Sequence, residues 1–369
     1  MKIGILTFQW SNNYGAALQT FALKTFLSNK CEVGDAFDVN VINYKRSYPK
    51  PSNTISSRIK DFILYFLLIP DKRKIKQRNS RFDEFRTDFF NLTKQYNSID
   101  ELEGLDFDSI FFGSDQIWNP KLTGGNLDPA YFGYFDTGAK RIAYAASIGE
   151  KCVRLEDVDL ITEYLRGFDS ISVRESQMLT EIGKYTDKTI YNTLDPTLLL
   201  SEQDYRDIAS ERIIDEKYIL IYQNTRNDNT YKIARQIAEK TGLKIYEVGY
   251  RRQFPSTGIP IVENAGPREF LALYRDAEYV VSNTFHGTVF SIMFKKQFIS
   301  IPLKGREHRV ISLAQKLGLD ERLVAAYDSE LINQLMNTSI DYDVVSLKLE
   351  NERKKSIEYI KEAIGGEMK

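Results

Sequence analysis

The chain has 369 residues, more than one average domain needs and comfortable for two. Hydrophobic residues make up 42% and charged residues 27%, and the formal net charge of −1 exerts no general pull toward nucleic acid, so no nucleic-acid partner is expected. Two cysteines, Cys31 and Cys152, form neither a disulfide framework nor a metal knuckle, and two histidines, His286 and His308, are too few for a multi-histidine metal site; no metal is expected.

The first residues, Met1-Lys2-Ile3-Gly4-Ile5-Leu6, form a strand-like run rather than a signal peptide. No run of about 20 apolar residues is present. A cytoplasmic, reduced protein is therefore expected. Residues 2–8 read as a buried strand and residues 15–26 as a helix, with Leu18, Phe21, Ala22 and Phe26 on one face. The loop between them, Trp10-Ser11-Asn12-Asn13-Tyr14, is rich in helix-capping residues. Further strands are predicted at 39–43, 109–113, 141–146, 170–173 and 189–194. The alternation restarts with strands at 217–222, 244–248, 278–282 and 298–301, and helices at 231–240, 267–274 and 285–294. Such alternation favours parallel sheets covered on both faces. The expected organisation is an N-terminal domain over 1–200, a polar linker over 201–216, a second domain over 217–343, and a charged helix over 344–369 packing back on the first.

An insertion at about 55–95 breaks the rhythm. Residues 59–69 are strongly apolar and are followed by Lys72, Arg73, Lys74, Lys76, Arg78 and Arg81. Two readings stand. One is a helical insertion packed on the first domain with a solvated charged end. The other is peripheral contact with anionic lipid at the inner face of the membrane through residues 59–81. Basic runs are usually solvated, which favours the first.

In open parallel sheets, ligands bind beyond the carboxyl ends of the strands. Polar residues follow the predicted strands directly: Asn12, Asn13 and Gly15; Ser114 and Asp115; Ser147 and Gly149; Arg174; Gln223, Asn224 and Arg226; and residues 283–286. All are expected to face a cleft between the domains. His286 stands between a strand and a helix, where the helix N-terminus favours a phosphate and a neutral imidazole. A bound phosphate would reverse that preference and protonate the ring, preparing a general acid; the alternative is a histidine that merely caps its helix. Arg174 can grip a carboxylate or phosphate with two parallel hydrogen bonds, or pair with a neighbouring acidic side chain. Lys304 and Arg306 add positive charge for an anion or sit in a solvated loop.

These residues also carry a family resemblance. Phe112-Gly113-Ser114-Asp115-Gln116-Ile117-Trp118-Asn119-Pro120 resembles the Gly-Ser-Asp-Gln-aliphatic-Trp block of the polysaccharide pyruvyl transferases. Asn13-Tyr14-Gly15-Ala16 resembles their N-terminal loop, and Ser172-Val173-Arg174-Glu175 their Arg-Glu block. Asp195-Pro196-Thr197-Leu198-Leu199 resembles the stretch closing their first domain, and Phe285-His286-Gly287 falls where the family keeps its histidine. The match runs over roughly residues 1–305. One departure is Thr284-Phe285, where some members have an arginine just before the histidine.

The resemblance implies an α/β fold of two Rossmann-like doubly wound domains facing a cleft (GT-B-like). It implies phosphoenolpyruvate as the donor substrate, with no other cofactor, and a sugar or lipid-linked oligosaccharide acceptor that receives pyruvate as a cyclic ketal on two hydroxyls. Such transfer belongs to the building of bacterial surface polysaccharides. Donor contacts fall on Arg174, His286, Phe285, Gly287, Asn13 and Gly15, together with Lys304 or Arg306. The acceptor side falls on Ser114, Gln116, Trp118 and Asn119. His286 is the candidate proton donor or phosphate-holding group, and Asp115 the candidate acceptor of a hydroxyl proton, unless Asp115 caps a turn. Trp118 offers a stacking face for the sugar, and Trp10, Tyr14 and Tyr131 are further candidates to line that site, although core packing is the safer reading for any one of them. The rivals are a GT-B nucleotide-sugar glycosyltransferase and a non-catalytic sugar-binding relative. Residues 283–297 contain no carboxylate to hold a ribose, although Glu263 and Glu269 lie nearby in sequence.

Overall fold

Runs such as Lys-Ile-Gly-Ile-Leu, Ser-Ile-Phe-Phe and Tyr-Ile-Leu-Ile-Tyr are buried along almost their whole length, as parallel strands covered on both faces must be. The computed structural model that carries them describes residues 1–31, 37–48, 71–249, 257–305 and 307–365. The chain divides into two compact units. Unit 1 comprises residues 1–50, 86–200 and 347–369, and unit 2 comprises 51–85 and 201–346.

In chain order the elements begin with β1 (Lys2–Leu6), α1 (Tyr14–Asn29), β2 (Asp38–Tyr44), α2 (Lys72–Phe89), β3 (Leu92–Tyr96), β4 (Ser109–Phe112) and β5 (Lys140–Ala146). They continue with α3 (Val158–Arg166), β6 (Ser170–Val173), α4 (Ser176–Ile182), β7 (Ile190–Asn192) and α5 (Glu202–Ile208). Next come β8 (Tyr218–Tyr222), α6 (Asp228–Thr241), β9 (Lys244–Val248), β10 (Ile261–Val262), α7 (Pro267–Asp276) and β11 (Tyr279–Ser282). The chain closes with α8 (Phe285–Met293), β12 (Gln297–Ser300), α9 (His308–Leu317), α10 (Ser329–Asn337) and α11 (Tyr342–Ile364).

Unit 1 holds a seven-stranded parallel sheet in the order β3-β2-β1-β4-β5-β6-β7. Unit 2 holds a five-stranded parallel sheet in the order β10-β9-β8-β11-β12. Each is doubly wound, with the strand order reversing once: between β1 and β4 in unit 1, and between β8 and β11 in unit 2. Crevices outside the carboxyl ends of the strands at such reversals are the ligand sites of this topology. The core of unit 1 gathers Phe112, Trp118, Tyr131, Phe132 and Phe168; that of unit 2 gathers Ile219, Ile221, Ile237, Val281 and Ile299.

Beyond short elements that the sequence reading leaves out, such as α3 and β10, the following segments depart from it. Residues 201–216 are not a bare linker, because Ser201 and Asp204 cap α5 reciprocally and Tyr205 is buried edge-on against Phe290 at 5.3 Å. β3 went unpredicted because its sequence, Leu-Thr-Lys-Gln-Tyr, is mostly exposed at the sheet edge and shows no buried run. The insertion was expected on the first domain, yet its residues 72–85 belong to unit 2. Opposite charges hold them there: Arg81 lies 3.2 Å from Glu269 and donates to the Asn264 carbonyl at 2.9 Å, and Lys74 lies 3.8 Å from Glu263. The apolar segment 59–69 lies outside the described residues. Among the described residues, no helix is long and apolar enough to cross a membrane.

From Leu347 onward, α11 belongs to unit 1. Arg353 donates to the carbonyls of Leu198 and Leu200 at 2.8 and 3.0 Å, and the Tyr359 hydroxyl donates to the Ala143 carbonyl at 2.8 Å. The helix thus donates to main-chain acceptors of unit 1, the Ala143 carbonyl also accepting from Ser172 Oγ at 3.2 Å.

Candidate functional site

In unit 1 the exits of β1, β4, β5, β6 and β7 bring several sequence candidates together. The Thr7 hydroxyl, just past β1, donates to the Ser114 carbonyl, just past β4, at 3.0 Å, which ties the two strands at the reversal. Gly113 adopts φ 120°, and a Cβ there would stand 2.3 Å from the Tyr144 carbonyl oxygen, so only glycine lets β4 leave the sheet at this point. Asp115 follows at φ 74°, a left-handed conformation that side-chain-bearing residues rarely adopt, and bridges to Ala146 at the exit of β5. Its Oδ1 accepts from the Gln116 N–H at 2.8 Å, and the residue remains half-buried.

Arg174 is the centre of this cluster. Its side chain is 3% exposed, with Nη1 2.7 Å from Asp195 Oδ2 and Nε 3.3 Å from Glu175 Oε1. Burial works against its charge, but Glu175, Asp195 and Asp115 together hold the guanidinium above its ordinary pKa. The pairing with acidic neighbours, one of the two readings open in the sequence, is thus present. Asp195 Oδ2 also accepts from Ser114 Oγ at 3.2 Å, while its Oδ1 takes the Thr197 N–H at 3.0 Å and hydroxyl at 2.6 Å. Ser147 donates to Glu175 Oε1 at 2.8 Å.

The N-terminal loop is held from below. Asn13 Oδ1 caps α1 by accepting from the Ala16 N–H at 3.2 Å, and Gly15 is buried in the first helical turn. Arg86 donates to the carbonyls of Gln9 and Trp10, each at 2.9 Å, and to Asn12 Oδ1 at 2.5 Å. Arg86 was not singled out in the sequence, where it is one of many basic residues in the insertion. A buried Gln19 links Thr7 and Thr20 beneath the same loop.

The acceptor-side expectations need correction. Trp118 is buried, stacked on Phe132 at 5.1 Å and 9°, tilted against Phe168, and donates its Nε1–H to the Tyr131 carbonyl at 3.1 Å. Its ring is core and presents no sugar-stacking face. Ser114 is likewise buried, and its hydroxyl is committed to the Ala145 carbonyl and Asp195. Asn119 is buried too, with Oδ1 capping the 3-10 turn at Lys121 and Nδ2 bonded to Gln116 Oε1 at 2.9 Å. Gln116, half-buried, and Asn119 therefore shape the loop against each other.

Unit 2 carries the histidine. Asn283 Oδ1 accepts from the Asn224 N–H at 3.3 Å and its Nδ2 donates to the Thr225 carbonyl at 2.7 Å, which locks the exits of β8 and β11 together at the reversal. Thr284 caps α8 by accepting from the Gly287 N–H at 2.8 Å. His286 is buried in the first turn, its ring edge-on to Phe285 at 5.1 Å. A Cβ on Gly287 would lie 1.9 Å from Ser282 Oγ, so this turn also demands glycine. Lys304 is exposed, and Arg306 lies outside the described residues. Arg309, not noticed in the sequence, places its guanidinium carbon 5.9 Å from the centre of the Phe285 ring. Glu247, buried below, accepts from Gln223 at 3.0 Å and from the Tyr231 hydroxyl at 2.9 Å, and burial followed by this carboxylate pushes the Tyr231 pKa up. No cluster of three or more His, Cys, Asp or Glu able to hold a metal ion exists among the described residues.

Comparison with known proteins bears on this arrangement. The model of the polysaccharide pyruvyl transferase family matches residues 13–305. Among solved structures, a UDP-N-acetylglucosamine 2-epimerase is similar at 13% identity and a TM-score of 0.53, over 98% of this chain and 94% of that one. The S. aureus MnaA–UDP co-structure is similar at 10% identity and a TM-score of 0.52, over 94% of this chain and 90% of the other. At such identities the likeness speaks for the fold alone, which is GT-B-like. No curated protein matches the sequence. The family match covers residues 13–305, well over half of the chain, and the chain belongs to the polysaccharide pyruvyl transferase family.

Proposed function

We propose that the protein transfers pyruvate from phosphoenolpyruvate to two hydroxyls of a sugar, forming a cyclic ketal in a bacterial surface polysaccharide precursor. One observation carries the reading. The two groups suited to a small anionic donor, buried Arg174 and buried His286, both stand at carboxyl ends of parallel strands, His286 on a helix first turn just past the reversal in unit 2.

In this reading His286 protonates the methylene carbon of the donor, leaving positive character on the neighbouring carbon. A sugar hydroxyl attacks there and forms the first C–O bond, its proton passing to Asp115. The bond from that carbon to the phosphate oxygen then breaks, and the second hydroxyl closes the ketal, its proton passing to the departing phosphate. The Arg174 guanidinium offsets part of the donor's negative charge. The donor is a substrate, and the reading needs no resident cofactor. Cytoplasmic location follows from where such a donor is available.

The nucleotide-sugar rival needs a carboxylate for ribose hydroxyls. Glu269, one of two acids that kept it open, is occupied by Arg81 and by the Gly266 N–H at 2.9 Å, which favours the compact donor. The test is phosphate release from phosphoenolpyruvate with a panel of acceptor sugars. Release with at least one acceptor is expected, and His286→Gln should lower it by about 100- to 10,000-fold without loss of folding. No release with any acceptor, together with thermal stabilisation by nucleotide sugars instead, would sink the proposal.

A further inference from the structure

Unit 1 also has a concavity at the amino end of its sheet. It lies between the 3-10 turn Pro129–Phe132, the start of β5 and the end of α3. Its volume of about 380 Å³ is within the range of small-molecule sites. Arg141, the second residue of β5, lines it, whereas Ser114, Asp115 and Arg174 follow the carboxyl ends of their strands. Arg141 and Ala146, the bridge partner of Asp115, stand at opposite ends of β5, roughly 17 Å apart along an extended chain.

Aromatic rings build its wall. Tyr164 packs against Phe132 at 5.1 Å and against Tyr134 at 4.7 Å between ring centroids. Phe132 and Tyr164 are buried, but Tyr134 is 50% exposed, so a large ring borders the cavity in contact with water. It is tied in place: its N–H donates to the Pro129 carbonyl at 3.0 Å, and its hydroxyl bonds the Glu163 carboxylate. Gly133, at φ 64°, lets this loop close on β5, because a Cβ there would stand 2.8 Å from Phe112 Cζ and 3.0 Å from Arg141 Cδ.

Two residues of opposite charge line the same cavity, Arg141 and Asp136. The Arg141 guanidinium is half-buried and spends one hydrogen bond, from Nη2 to the Phe135 carbonyl at 2.9 Å, which fixes its plane. Asp136 is exposed, and neither residue enters an ion pair among the described residues. An anion would be repelled by Asp136 and a cation by Arg141, so the lining favours a neutral ligand that both donates and accepts. Sugar hydroxyls do both, and the weakly positive C–H groups on one face of a sugar ring suit the negative face of an aromatic ring. We propose that this cavity is a second sugar-binding site, which takes a neutral hexose with its C–H face on Tyr134 and its hydroxyls between Arg141 and Asp136. It stands at the opposite end of β5 from the strand exits, so it holds glycan without reacting with it. The inference does not depend on the donor assignment.

Saturation-transfer NMR of the full chain with the methyl glycosides of glucose, galactose, mannose and N-acetylglucosamine, at millimolar concentration and without phosphoenolpyruvate, tests it. At least one glycoside should receive saturation, strongest at the C–H protons of one ring face. Tyr134→Ala and Asp136→Ala, both at exposed positions, should each weaken that binding by about tenfold, while Tyr134→Phe keeps the ring and stays within about twofold of wild type. If Tyr134→Ala does not fold, Asp136→Ala decides. Absence of transfer to all the glycosides would overturn the inference. So would binding that neither alanine variant weakens, since the sugar would then sit elsewhere, at the strand exits for example. Equal losses in Tyr134→Phe and Tyr134→Ala would overturn it as well, because the bond to Glu163 and not the ring face would carry the effect. Each of these failures leaves the proposed pyruvate transfer standing, which phosphate release tests separately.

Discussion

Arg174 Nη1 and Asp195 Oδ2 meet at 2.7 Å with both side chains almost wholly out of water. Twenty-one residues apart in sequence, they join the exit of β6 to the turn after β7. Asp195 performs three tasks at once: it pairs with Arg174, accepts from Ser114, and caps the turn Pro196–Leu198.

Because removing one partner of a buried pair strands the other charge, Asp195→Ala should destabilise the protein by about 3–5 kcal/mol. Urea unfolding measures this. A midpoint indistinguishable from wild type would mean that Glu175 alone satisfies Arg174.

Gly287→Ala tests the histidine turn. The added methyl would collide with Ser282 Oγ and with Thr284 Oγ1, 1.9 and 2.6 Å away, so the cap of α8 must open. A loss of about 1–3 kcal/mol is expected from overpacking, with donor affinity falling as His286 moves. Thermal unfolding and donor binding should change together. An alanine variant with unchanged donor affinity would detach His286 from the donor.

Trp118→Ala should cost about 3–5 kcal/mol, because a large ring leaves the core of unit 1 and the Tyr131 carbonyl loses its donor. Trp118→Phe keeps the stacking on Phe132 and should fold with an unchanged KM for the acceptor sugar. A raised acceptor KM in a well-folded phenylalanine variant would restore the ring to the sugar site.

Buried tyrosines set the alkaline limit. Burial raises the hydroxyl pKa of Tyr131, Tyr144, Tyr274 and Tyr359, and all four lie above their unfolded value near 10. A raised folded pKa means that the stabilisation is complete below about pH 10 and is lost as pH rises beyond it, by about 1.4 kcal/mol per pH unit for each tyrosine. Tyrosinate absorbance from these residues should therefore appear cooperatively with loss of circular dichroism. Gradual ionisation near pH 10 with the fold intact would contradict their burial.

Local pattern sufficed for much of the fold. Strands such as β1, β6, β8 and β9 announce themselves as short apolar runs, and the punctuation between them places Ser114, Arg174 and His286 at strand ends. Edge strand β3 and helix α5 escaped because their residues are largely exposed, and exposure leaves no hydrophobic period to read.

What the sequence by itself determined was the alternation of buried strands and helices and the residue types at each strand exit, since both depend on neighbours along the chain. Tertiary structure alone decided which of those residues are committed. Trp118 was open to a sugar-facing or a core role, and it is core because Phe132 is brought against its face. Arg174, open in the sequence to an anion or to an acidic neighbour, is paired, because the turn after β7 delivers Asp195 to it.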